Sequence, residues 1–352
     1  MNCDIWWDGI SGYAASCWRA LSECSGVRLN VLAYRLKGEA NSNFSDKLVE
    51  GLPVQTESDE GLVDLVHQRR QRLESGLLIV SGWGRRAYTL GVKSIRNAAV
   101  KKVLAFDTPW LGSVKDHLRT LYVRRYARNF DAAFVPGERG YQFARKIGFG
   151  RRNIFKGLYA VDSSLLMEAY ERRRCKKWPK RFLFIGRFID AKDLLTLVAG
   201  YELYRAREEH PWPLTIVGMG PQQSILTGRS GIELLGFVQP HELVELWESH
   251  GAFVIASKYD PWPLVIVEAC RAGLPIVHSA ACGSAVELVR EFYNGYSFPT
   301  GSPESLAYAL RRLHNRYNDL ELMGSRSLQL SNSYCSEIWA KVVLEIAETL
   351  VV

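Results

Sequence analysis

Apolar residues recur along this chain in two rhythms: short continuous runs, and longer stretches with apolar positions three or four apart. Runs rich in Val, Leu, Ile and Phe at 27–36, 77–81, 101–107 and 132–136 predict strands, and the stretch 114–127 predicts an amphipathic helix. Strands alternating with helices imply a parallel sheet. Residues 171–180, ERRRCKKWPK, interrupt the rhythm with charge and a proline, after which it restarts. Further strands are predicted at 181–185, 214–217, 232–236, 252–256 and 275–279, with helices at 192–207, 241–249 and 264–272. The pattern therefore predicts an α/β protein of two domains, 1–175 and 176–333. In the tail, Ile338, Val342, Ile346 and Leu350 stand at helical spacing. Residues 334–352 are expected to form a helix that packs back on the first domain.

Composition narrows the class. A chain of 352 residues is long enough for two cores. Its 47% hydrophobic and 23% charged residues are the balance of a globular protein. No apolar run approaches the roughly 20 residues that cross a bilayer, and residues 1–10 carry aspartates where a signal peptide would be basic. A cytoplasmic protein is expected. Cys3, Cys17, Cys24, Cys175, Cys270, Cys282 and Cys335 are scattered and contain no C-x-x-C pair, so they are expected to be reduced and mostly packing residues. The net charge of +8 hides an asymmetry: residues 115–181 hold 18 Lys or Arg against 6 Asp or Glu. Such a surplus is either a solvated face or attracts phosphates, nucleic acid or an anionic membrane surface. Nucleic acid is disfavoured, because the region lacks the aromatic and basic interleaving of a known module.

The densest chemistry lies at 257–275, SKYDPWPLVIVEACRAGLP, directly after the predicted strand 252–256. Ligands of open α/β sheets sit outside the carboxyl ends of strands, where helix N-termini present free N–H groups. Asp260 and Glu268 flank a proline-rich turn there. A proline opening the helix leaves the N–H groups of Leu264 and Val265 available to an anion. Glu268 stands on an otherwise apolar helix and must face water, a partner or a ligand; a bond to Arg271 three residues on is the plain alternative. Carboxylates are good acceptors for paired sugar hydroxyls. In FLFIGRFIDAK, Arg187 ends a strand and Lys192 opens a helix, so the two could clamp a diphosphate or simply be surface charges.

Other motifs are weaker. In LTIVGMGPQQ, Gly218 and Gly220 follow a strand, but Gln223 stands where a dinucleotide fingerprint needs a third glycine. A tight turn where backbone approaches a ligand is expected instead. HELVE, starting at His241, lacks the second histidine of a zinc helix, and no Asp-x-Asp pair is present, so no metal is expected. Gly9 and Gly12 in WWDGISGYAAS lie in a loop that lets backbone N–H groups approach phosphate or substrate. Asp107 ends the strand of KKVLAFDTPW.

Taken together, Gly186-Arg187 with Lys192, VGMGP at 217–221, LLGFV ending at Val238, and the segment from Ser257 through EACRAGLPIV to NGYSF resemble the retaining GT-B glycosyltransferases, the group-one or family-four sugar transferases. The resemblance covers about residues 180–315. It implies two Rossmann-like domains facing each other across a cleft. It also implies a hexose-type sugar moved from a UDP- or GDP-linked donor, with no other cofactor, to a hydroxyl acceptor, with retention. Arg187 and Lys192 would hold the diphosphate, Glu268 the ribose hydroxyls and Asp260 the transferred sugar. Gly9, Gly12, Gly218, Gly220, Val238, Leu264 and Val265 would line the donor, and Asp107 would take the place of an acceptor-domain histidine. Two departures stand out: Asp260 replaces a glutamate, and Trp262-Pro263 replaces Phe-Gly. The basic region adds the expectation of a lipid-linked or envelope glycan acceptor and peripheral attachment to the cytoplasmic membrane face. A soluble small-molecule or protein acceptor, a sugar-nucleotide epimerase or phosphorylase of the same fold, and a non-enzymatic binding protein are the competing readings.

Overall fold

The computed structural model describes residues 1–35, 46–239 and 242–351. They form two compact units, Met1–Asp162 with Tyr334–Val352, and Ser163–Ser333. Leu36, at the end of one predicted strand, and His241 lie outside the described residues.

Unit one is built on seven parallel strands, β1 (Asn2–Trp7), β2 (Arg28–Tyr34), β3 (Val54–Glu57), β4 (Gly76–Ser81), β5 (Val100–Ala105), β6 (Ala132–Val135) and β7 (Ile154–Lys156). Their order is β3-β2-β1-β4-β5-β6-β7. Successive strand residues point to opposite faces, so each strand feeds two cores: Trp6, Leu32, Leu78 and Leu104 enter one, Ile5, Val31, Ile79 and Val103 the other. That double burial explains the continuous apolar runs. Helix Ser336–Val351 adds Trp339, Val343 and Ile346 to the second core. Trp339 Nε1 donates to the Leu158 carbonyl at 2.8 Å, which ties the helix to this unit.

Unit two has six parallel strands, β8 (Phe182–Ile185), β9 (Leu214–Val217), β10 (Ile232–Leu235), β11 (Ala252–Ile255), β12 (Ile276–Ser279) and β13 (Gly295–Phe298), ordered β10-β9-β8-β11-β12-β13. Both sheets are Rossmann-like. The strand order reverses between β1 and β4 in one and between β8 and β11 in the other, the places where such sheets accept ligands.

Three features differ from the sequence pattern. The unit boundary falls after Asp162 and not at 175, because helix Ser164–Arg174 packs into unit two. Arg173 is the reason: it is fully buried and donates to the carbonyls of Trp247 at 2.6 Å, Gly273 at 2.8 Å, and Ala272. Burial pulls its pKa down to about 9. The basic region 115–181 is thus divided between the units, and one of its arginines is a core residue. Second, β5 stops at Ala105, which leaves Asp107 in the following loop. Third, the helix expected from 192 is split into a 3-10 turn, Asp190–Lys192, and a helix, Leu194–Arg205.

Candidate functional site

Parallel strands deliver all their C-terminal loops to one edge of the unit-two sheet. The loops after β8 and β9 lie backbone on backbone: Gly186 N–H donates to the Val217 carbonyl at 3.0 Å and Phe188 N–H to that of Met219 at 2.8 Å. Gly218, at φ +141°, faces this contact so closely that a Cβ there would stand 2.0 Å from the Gly186 carbonyl oxygen. At Gly220 the same atom would be 2.6 Å from that of Phe188. The room these glycines leave is therefore filled by the neighbouring loop, where the sequence suggested a ligand. Val238, half-buried, lies in the loop after β10.

The loop after β11 is stitched to the loop after β8. Lys192 Nζ lies 2.5 Å from Asp260 Oδ2, with each side chain only 14% exposed. Separating so desolvated a pair would strand a charge. Lys258 repeats the stitch, its ammonium 3.0 Å from Asp190 and 3.8 Å from Asp193, and its N–H donating to the Ala191 carbonyl at 2.8 Å. Asp193 sits in the left-handed region at φ +51° and caps the next helix, accepting from Thr196 N–H at 3.4 Å and Thr196 Oγ1 at 2.8 Å. That cap is why Lys192 precedes the helix and does not open it. Arg187 is exposed, and among the described residues no ion pair or hydrogen bond holds its guanidinium.

The proline-rich turn is gripped from the β12 side. Gly283 N–H donates to the Asp260 carbonyl at 2.9 Å, and a Cβ on Gly283 would lie 1.8 Å from the Pro261 oxygen. Ser279 Oγ donates to the Ser257 carbonyl at 2.6 Å and Ser284 Oγ to that of Pro263 at 2.9 Å. Trp262 is buried. Pro263 is the N-cap of helix Leu264–Arg271 and not its first residue, and it offers no side-chain cap. Among the described residues the N–H groups of Leu264 and Val265 have no partner, as expected for a first turn.

One turn further in, Glu268 is half-buried and, among the described residues, its carboxyl has no ion pair or hydrogen bond; burial alone raises its pKa to about 7. The plain alternative of a bond to Arg271 fails, since Arg271 is buried and donates to Asn332 Oδ1 at 2.8 Å. An edge thus forms with an unengaged guanidinium, a shielded Lys–Asp pair, two open N–H groups and one uncompensated carboxyl.

In unit one, Gly9 (φ +101°) lies in the loop after β1, whereas Gly12, expected in that loop, is the first residue of helix Gly12–Ser22, whose N-cap is Ser11. Asp107 accepts from Tyr159 Oη at 3.3 Å, and Tyr159 meets Tyr13 edge-on with ring centroids 5.3 Å apart. Burial first, then the Asp107 charge, push the Tyr159 hydroxyl well above its ordinary pKa, and burial lifts Tyr13 to about 12. The glycine loop and Asp107 therefore share one edge of their own sheet, joined by two tyrosines absent from the sequence reading. Lys258, Asp193, Gly283, Ser279 and Ser284 were also missed; Asp-Leu-Leu-Thr at 193–196 carries a cap signal, while nothing local marks the others. Among the described residues no three His, Cys, Asp or Glu side chains gather as metal ligands, and no helix is long and apolar enough to cross a membrane.

Residues 170–328 match the family model described as glycosyl transferases group 1. An uncharacterized glycosyltransferase of Methanocaldococcus jannaschii is 30% identical over 141 residues, 38% of this chain and 35% of that protein. The chain spans less than half the length of the curated relatives it matches. The lipopolysaccharide outer core galactosyltransferase WaaB shares the fold at 13% identity and a TM-score of 0.72, over 98% of this chain and 99% of that one. Anabaena HepE, solved with UDP, does so at 15% identity and 0.73, over 99% of both. Residues 170–328 of unit two thus resemble the group 1 glycosyl transferases, in a chain that has the GT-B fold.

Proposed function

We propose that the chain transfers a hexose-type sugar from a UDP- or GDP-linked donor to a hydroxyl acceptor, with retention and without a metal. The observation that carries this reading is Glu268, a carboxyl with no protein partner beside an open helix N-terminus and the Lys192–Asp260 pair. A buried carboxyl without a partner is costly unless a ligand supplies hydroxyl donors, and a ribose offers two neighbouring ones. HepE, solved with UDP and with UDP-glucose, adds support for a sugar nucleotide.

In this reading Arg187, Lys192 and the N–H groups of Leu264 and Val265 meet the diphosphate. The bond from the anomeric carbon to phosphate breaks, its electron pair stays on the leaving diphosphate, and those fixed positive groups stabilise the growing charge. The acceptor oxygen bonds to the same carbon, and its proton passes to the departing phosphate on the same face. Lys192 would bridge phosphate and Asp260, which turns its other oxygen to the transferred sugar. In unit one, Asp107 and the loop at Gly9, with Gly12 opening the helix that follows, would bind the acceptor. We take the acceptor to be a lipid-linked or envelope glycan, from the basic residues of unit one.

Turnover of UDP- and GDP-hexoses in the presence of a chelator, with the product's anomeric configuration read by NMR, tests the reading. Nucleoside diphosphate release with a retained glycoside supports it. Release without glycoside, inversion, dependence on orthophosphate or loss with the chelator would each remove the corresponding part.

A further inference from the structure

We infer that helix Val114–Ala127, with the basic notch beside it, docks unit one onto an anionic lipid bilayer. The helix has two apolar faces. Its buried face carries Val123, Tyr126 and Ala127, together with Asp116. At about 100° per residue, Val114, Leu118 and Leu121 fall on the opposite side, where they are 77%, 64% and 71% exposed. Tyr122 at 71% and Leu111 at 55% extend the row. Large apolar side chains scattered singly over a surface are ordinary, but a row over successive turns of one helix marks an interaction site.

Charge selects the partner. The only acidic residue of this helix, Asp116, is turned inward and closes a capping box with Ser113. Its Oδ2 accepts from Leu111 N–H at 3.0 Å and Ser113 N–H at 3.1 Å, which fixes the loop that carries Leu111. Burial opposes its ionisation, but these donors outweigh burial and hold its pKa below the usual range. The outward surface is left with Lys115, Arg124, Arg125 and Arg128 beside the apolar row. Trp110, just before the helix, takes the Lys146 ammonium 5.2 Å from its ring centroid. Lys146 in turn lines an open cavity of about 500 Å³ with Tyr141, Gln142, Arg145 and Arg151, three cations and no carboxylate. An apolar row flanked by cations is the pattern of a helix lying in the headgroup region, and a cationic notch fits a lipid phosphate. A nucleic acid would match the cations and leave the leucines in water.

The inference stands on unit one and fails separately from the donor reading. It is tested by co-sedimenting the full chain with vesicles of phosphatidylcholine alone and of phosphatidylcholine mixed equally with phosphatidylglycerol. Binding to the anionic vesicles that weakens with salt is expected, with little to the neutral ones. Leu118→Ser with Leu121→Ser should weaken it by about tenfold or more while leaving the melting temperature unchanged, because both side chains are already exposed. Arg124→Gln with Arg125→Gln should weaken it severalfold. Equal binding to both vesicle types, no binding to either, or wild-type binding by the leucine variant would overturn the inference. A concentration-dependent dimer abolished by the leucine variant, without vesicle binding, would overturn it in favour of a protein interface.

Discussion

The two sheets differ in how tightly their edges pack around particular glycines. At the edge of unit two the loops press on one another: a Cβ on Gly218 would lie 2.0 Å from the Gly186 oxygen, and one on Gly283 1.8 Å from the Pro261 oxygen. At the equivalent edge of unit one, a Cβ on Gly12, Gly82 or Gly112 would meet nothing within 4 Å. Loops that must lock together tolerate few sequences; loops open to solvent tolerate many. The locked edge holds fixed charges in place before any ligand arrives, which is what electrostatic stabilisation of a leaving diphosphate requires. On the proposed function, the open edge suits contacts that vary with the acceptor.

Four substitutions break or sharpen this contrast. Lys192→Ala should carry the largest effect, a loss of about 10²–10³-fold in kcat read from initial rates, together with a lower melting temperature, since Asp260 is left shielded and unpaired. An unchanged kcat would mean that the pair only holds the loops together. Gly218→Ala should cost about 3 kcal/mol in denaturant unfolding, through backbone overlap and a φ of +141°. Full stability of that variant would refute the locking described for β8 and β9.

Glu268→Gln separates stability from function by pH. The Glu268 pKa is raised by burial from 4.5 to about 7, so the folded state holds the proton more tightly than the unfolded chain. Stability from this group is fully present below about pH 4.5 and is lost as pH rises through 7. The variant escapes that loss. It should therefore be about 2 kcal/mol more stable than wild type at mildly alkaline pH and no better at pH below the carboxylate range. Equal pH profiles would contradict the burial assigned to this side chain. The smallest effect belongs to Gly12→Ala, expected within about 0.5 kcal/mol of wild type, with thermal unfolding as the check.

The contrast also governs how much the sequence reveals. The turn and helix following β11 were legible because proline, an apolar run and Ala-Gly-Leu-Pro each constrain local structure. The predicted helix 264–272 meets the observed Leu264–Arg271 within a residue. Lys192 and Asp260 were both singled out, yet their pairing was not, since they are 68 residues apart and only the β8–β11 neighbourhood joins them. Asp193 takes a left-handed conformation that aspartate tolerates better than most residues but does not require. Arg173 lies in a run of three arginines that reads as solvated, and only the carbonyls it reaches reveal it as a core residue. In helix Val114–Ala127 the ends were predictable, but apolar residues occur on both faces, so the sequence could not say which would be buried. β3, β7 and β13 escaped notice because three or four residues interrupted by polar ones or glycine carry no periodic signal.

The central claim is that the locked edge of unit two is the donor site and that Glu268 serves the ligand at the expense of the apoprotein. Titrating UDP, GDP and their hexose derivatives by calorimetry into wild type and Glu268→Gln tests it directly. The account predicts saturable binding of at least one of these ligands to wild type, and weakening by about tenfold or more in a variant that is at least as stable. No binding by any of them, or equal affinity in the two proteins, would contradict it.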